Sequence, residues 1–95
     1  MDTKEMVSEL NHIAWQMALD ATAQAEANPQ TTVEAFGIPV RKVAEGVWCV
    51  KKVGPLDWPV ATTAREAASR LSSYIMDAIK AKYGKPDVAL AALKK

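Results

Sequence analysis

Apolar positions in the first quarter of the chain recur at helical spacing. Met6, Leu10, Ile13 and Met17 fall at i, i+4, i+7 and i+11, and Val7, Ala14, Ala18, Ala21 and Ala25 widen the same stripe. Asp2, with Glu5 three residues on, gives a start resembling a capping box. Asn28-Pro29 gives a stop, because the residue before a proline is pushed out of the α region. The pattern predicts a helix over residues 1–28. At about 100° per residue, Trp15 and Leu19 project from nearly the opposite side to the stripe, beside Ser8 and His12.

The period then shortens. After a polar, breaker-rich stretch at 29–32, residues 33–62 read as antiparallel sheet. Residues 38–43 and 47–53 form a hairpin closed by Ala44-Glu45-Gly46, with Gly46 in the left-handed conformation that a three-residue loop requires. Opposing Val43 to Val47 puts Ile38, Val40, Trp48 and Val50 on one face, with Lys42 and Lys52 at its ends. Arg41, Val43, Val47, Cys49 and Lys51 fall on the other. The first is the core face, with Trp48 as its largest side chain; the second is expected to be partly exposed. A third strand has two sources. Residues 33–36 are followed by Gly37 and Pro39, which suit an edge strand or bulge. Residues 58–61 follow a turn, in which Trp58 either caps the core or stands in a binding loop.

Helical spacing returns at Thr63-Ala-Arg-Glu66, a capping box, followed by Ala64, Ala67, Ala68, Leu71, Ile75, Ala78 and Ile79. Gly84 closes this helix, predicted over 63–84. Pro86 opens a short helix over 86–94, with Val88, Ala92 and Leu93 placed to pack on the body. The whole reads as one α+β domain over residues 1–95. Its order is a long N-terminal helix, an antiparallel hairpin or three-stranded sheet, a second long helix packed on the sheet, and a short C-terminal helix.

Composition adds limits. Ninety-five residues make one domain, and no apolar run approaches the roughly 20 residues that cross a bilayer. No basic-then-apolar leader opens the chain, and Cys49, the single cysteine, excludes an internal disulfide. A cytoplasmic protein is the simplest reading. The net charge of +1 hides a division: residues 1–35 sum to −5 and residues 36–95 to +6. The two parts either attract each other within the fold or present surfaces of opposite sign.

The residues point away from catalysis. The four glycines are isolated and build no phosphate loop. One His and one Cys leave no metal-ligand spacing, and Cys49 on a strand reads as a small hydrophobe. No cofactor is expected. The chain instead reads as a protein-interaction module, such as an inhibitor or adaptor, with Trp15, Leu19, Arg41, Lys51 and Trp58 as contact residues. The alternative is a nucleic-acid-binding module using Arg41, Lys42, Lys51, Lys52, Lys80, Lys82 and Lys85 on phosphates. A further alternative is a homodimer built on Trp15, Leu19 or the C-terminal helix.

The order of elements over residues 2–83 resembles that of double-stranded-RNA-binding domains, which implies minor-groove contact by the first helix. The chain departs from them where the second helix opens on Thr63-Ala-Arg-Glu-Ala-Ala without a lysine cluster, and where the first helix is acidic. In size and style it is also similar to small phage-encoded inhibitors, including some anti-CRISPR proteins, which implies a protein partner.

Overall fold

A computed structural model describes residues 1–51 and 59–94. The elements are α1 (Thr3–Ala27), β1 (Val33–Ala35), β2 (Ile38–Ala44), β3 (Val47–Val50), α2 (Ala64–Tyr83) and α3 (Pro86–Leu93). The mixed α+β order expected from the periodicity is the one observed. None of the described helices is long and apolar enough to cross a membrane.

Both long helices begin where the sequence supplies an acceptor. The Asp2 carboxylate accepts from Glu5 N at 2.9 Å, and Thr63 Oγ1 accepts from Glu66 N at 3.1 Å, each satisfying one of the first-turn N–H groups that has no helical partner. Gly84 ends α2 at φ +78°, donating its N–H to Lys80 O at 2.9 Å. α3 was expected to dock through Val88, Ala92 and Leu93, but Ala89 and Leu90 are its buried residues and Val88 is 47% exposed. The docked stripe is Pro86, Ala89, Leu90 and Leu93, which is the i, i+3, i+4, i+7 face; Val88 lies off it.

The third strand comes from the N-terminal side. β1 pairs with β2, and β2 with β3, all antiparallel. Phe36 and Gly37, at φ +51° and +80°, form the two-residue turn between Ala35 and Ile38. Two successive positive φ values are the signature of the type I′ turn, whose twist matches that of the strands. A non-glycine residue there costs on the order of 1–2 kcal/mol, and Phe36 meets Tyr83 with ring centroids 6.4 Å apart. On the other flank, residues 59–61 add only an isolated bridge, Ala61 to Trp48. The expected Trp58 and Lys52–Val53 positions lie outside the described residues.

In the hairpin, Val40↔Val50, Arg41↔Cys49 and Lys42↔Trp48 pair as the sequence predicts, but Ala44 rather than Val43 opposes Val47. Val43 is the extra residue of a bulge, so the loop shortens to Glu45-Gly46, with Gly46 at φ +72°. The bulged strand leaves carbonyls unpaired, and the loop after α1 takes them up. Gln30 N donates to Lys42 O at 2.9 Å, and Gln30 Nε2 donates to Val43 O. Pro39 sits in the central strand because its missing N–H falls just beyond the last β2–β3 pair; its carbonyl still accepts from Lys51 N at 3.3 Å.

α1 and α2 cover one face of this sheet and run antiparallel, with Trp15 beside Arg65 and Val7 beside Met76 and Lys80. The buried stripe of α1 is Leu10, Ala14, Ala18, Ala21 and Ala25, and that of α2 opens on Ala67 and Ala68. Small residues on both buried stripes suit close packing of the two helices. Trp48, 1% exposed, fills the space between helices and sheet together with Val40, Val50, Leu71 and Ile75. The alanine contact leaves no room for larger side chains. Ala18→Leu is therefore expected to lower unfolding stability by about 1–3 kcal/mol, whereas Ala23→Leu on the exposed side stays within about 0.5 kcal/mol; urea denaturation measures both.

Candidate functional site

Residues singled out in the sequence are divided by the fold into three groups. Trp15 and Leu19 do not stand on a side opposite the core. They are partly buried and pack against the core margin, because α1 is covered by sheet, α2 and α3 over a wide arc. The Arg65 guanidinium lies 5.8 Å from the centre of the Trp15 ring, so one face of the indole is occupied by a cation from α2. His12 is exposed on the same helix.

The hairpin residues separate by strand alternation. Ile38, Val40, Trp48 and Val50 face the core as expected. Arg41, Val43, Val47 and Lys51 on the second face are half-buried, while Cys49 is 2% exposed and outside the main core cluster. Lys42 points to the core side and is 7% exposed. Its ammonium lies 2.5 Å from Glu45, 3.7 Å from Glu26 on α1, and 5.9 Å from the Trp48 ring centre. The stem thus covers the indole while the charge reaches two carboxylates at the edge. The Glu45 hydrogen bond, against the opposing effect of burial and helped by the Glu45 and Glu26 charges, holds the Lys42 ammonium above its usual pKa.

The third group lies on the surface. Lys80, Lys82 and Lys85 are exposed near the end of α2 and the start of α3. Lys82 lies 5.4 Å from the ring centres of both Phe36 and Tyr83. Lys80 and Lys85 instead border a cleft of about 120 Å³ whose walls are Val7 and Leu10 of α1, Met76 and Ile79 of α2, and Pro86 and Ala89 of α3. The cleft lies where α3 meets the α1–α2 pair, at the end toward the α1 N-terminus. A shallower polar groove runs alongside, lined by Asn11, Ser69, Ser72, Ser73 and Asp77.

Among the described residues, charge segregation is used internally at both ends of α1. Glu26 approaches Lys42, and Glu9 pairs with Lys94 after α3, so acidic α1 attracts the basic remainder at both its ends. Lys42 of the expected phosphate-binding set is thus buried and paired with two carboxylates. Lys52 of that set and Trp58 of the protein-binding set lie outside the described residues. The cleft was not legible from sequence: its lining residues are ordinary stripe positions of three helices, and no local spacing shows that their packing is incomplete.

Because Lys42 gains carboxylate partners in the fold, its native pKa exceeds the unfolded value of 10.5. The stabilisation it supplies is complete below that value and is lost as pH rises through the native pKa. The difference in unfolding free energy between the wild type and Lys42→Met is expected to be flat at neutral pH and to move against the wild type above pH 10.5. Chemical denaturation at stepped pH measures it; a difference that stays flat into the alkaline range would contradict the assignment.

No family model matches the chain, and no curated protein or solved structure shows a significant match to it.

Proposed function

We propose that the protein acts by binding another protein in the cytoplasm, as an inhibitor or adaptor, rather than by catalysis. The observation that carries this reading is the exposed lysine set at the α2–α3 junction beside an incompletely filled apolar cleft. Apolar surface set among cations recognises a protein surface that offers both an apolar side chain and carboxylates. The half-buried Trp15, Leu19, Arg41 and Lys51 supply two further surfaces, on the α1 margin and the outer sheet face.

Nucleic-acid binding has less support. Lys42 is occupied by Glu26 and Glu45, and exposed acids at the start of α1, Asp2 and Glu5, accompany the lysines at this end of the molecule. A polyanion meets repulsion there as well as attraction. What favours the alternative is Lys82 beside Phe36 and Tyr83, since cations flanking aromatic rings suit single-stranded nucleic acid.

The test is crosslinking capture of a partner from host cells, followed by titration of the purified pair. Lys80→Glu/Lys85→Glu is expected to weaken the purified complex at least tenfold. Trp15→Ala and Arg41→Glu/Lys51→Glu report on the other two surfaces. A partner bound equally well by all three variants would defeat the surface assignment. Steeply salt-dependent retention on single-stranded DNA or RNA, without any protein partner, would establish the alternative.

A further inference from the structure

We infer that the cleft between α1, α2 and α3 is an anchor pocket for one apolar side chain, of leucine or phenylalanine size, carried on an acidic segment of the partner protein. The inference rests on the protein-binding reading and specifies the partner's chemistry. Size makes the first selection. At about 120 Å³ the cleft lies below the roughly 300–1,000 Å³ of pockets that enclose whole small-molecule ligands. It is close to the ~150 Å³ that accepts a benzene-sized group. One side chain fills it.

Lining chemistry makes the second selection. Val7, Leu10, Met76, Ile79, Pro86 and Ala89 offer carbon and sulfur to the interior, so the buried part of the ligand is apolar. A nucleobase would leave its polar edges unsatisfied there. Charge at the mouth makes the third. Lys80 and Lys85 are the charged residues of the lining, and both are exposed. Of the nearby acids, Glu9 is paired with Lys94, and the Asp87 carboxylate accepts from Val88 N at 2.9 Å on its own helix. Asp2 and Glu5 are exposed at the start of α1 and Asp77 lines the adjoining groove, but none of them lines the cleft itself. The cleft's own rim is therefore cationic, and the residues flanking the anchor are acidic.

The geometry also explains why the pocket is held open. Gly84, at φ +78°, ends α2, and Pro86 starts α3 two residues later. This rigid corner sets α3 across the helix pair, where the buried Ala89 and Leu90 fix it. The pocket exists before the partner arrives, so no ordering of its walls opposes binding.

The test uses the intact chain, isotope-labelled, titrated with four probes and followed by amide and methyl NMR. The peptide Ac-Glu-Glu-Leu-Glu-Glu-NH2 is expected to shift Val7, Leu10, Met76, Ile79 and Ala89 saturably. Replacing its leucine by alanine, or its glutamates by lysines, is expected to weaken binding at least tenfold. Lys80→Glu/Lys85→Glu is expected to weaken the acidic peptide by roughly tenfold, with an unchanged far-UV circular dichroism spectrum as the fold control. No shift at millimolar acidic peptide, or shifts mapping to another surface, overturns the inference. Equal shifts with sodium hexanoate, the fourth probe, would make this a small-carboxylate site, and shifts produced by raising the protein concentration alone would assign it to a second copy of the chain; either result also overturns it. A captured partner whose affinity ignores Lys80→Glu/Lys85→Glu would overturn the anchor pocket while leaving protein binding in place.

Discussion

The close approach of α1 and α2 through alanines is the constraint on which the rest of the structure depends. Ala14, Ala18, Ala67 and Ala68 are all fully buried, and their small size sets how near the two backbones lie. Trp48, Leu71 and Ile75 complete the core beneath them on the sheet. Toward the other end of the pair, Leu10, Met76 and Ile79 line the cleft that α3 borders. The same two helices thus contribute to a close-packed core and to a cleft.

Electrostatics follows the same division. The acidic α1 spans a basic body and is tied to it near both ends, through Glu9 to Lys94 and through Glu26 to Lys42. The surface pair of Glu9 and Lys94 contributes little stability individually, but both pairs absorb part of the charge that a purely sequential count assigns to the surface. Three exposed lysines, Lys80, Lys82 and Lys85, gather at the α2–α3 corner, beside the cleft. Attraction and apolar anchoring coincide there, and neither would identify the place alone.

Among the described residues, the non-glycine positions at positive φ are Gln30 and Phe36, both in turns. Phe36 occupies a left-handed position better suited to Asn or Gly. Its ring is held against Tyr83 and near Lys82 at the end of α2. The bulge at Val43 similarly has its exposed carbonyl taken by the Gln30 side chain. Both cases join a sheet irregularity to a helix or to the loop that follows one. The position of β1 therefore depends on α1 ending at Asn28 and on α2 ending at Gly84.

The sequence by itself determined the elements, because their signals are local. Capping residues at Asp2 and Thr63, the stops at Asn28-Pro29 and Gly84, and two periodic stripes place both long helices within a residue or two. Alternation places Trp48 on the core face. Tertiary structure decided what local signals cannot carry. Gly46 demands a turn, but whether Val43 or Ala44 opposes Val47 depends on Gln30, thirteen residues away in sequence from Val43. Trp15 and Leu19 look outward on a helical projection, but helix, sheet and α3 together bury a wider arc than one stripe describes. Lys42 reads as an open hairpin cation, and the approach of Glu26 from α1 is visible only in the fold. The cleft belongs wholly to the second category: its walls come from three helices, and it exists only once they pack.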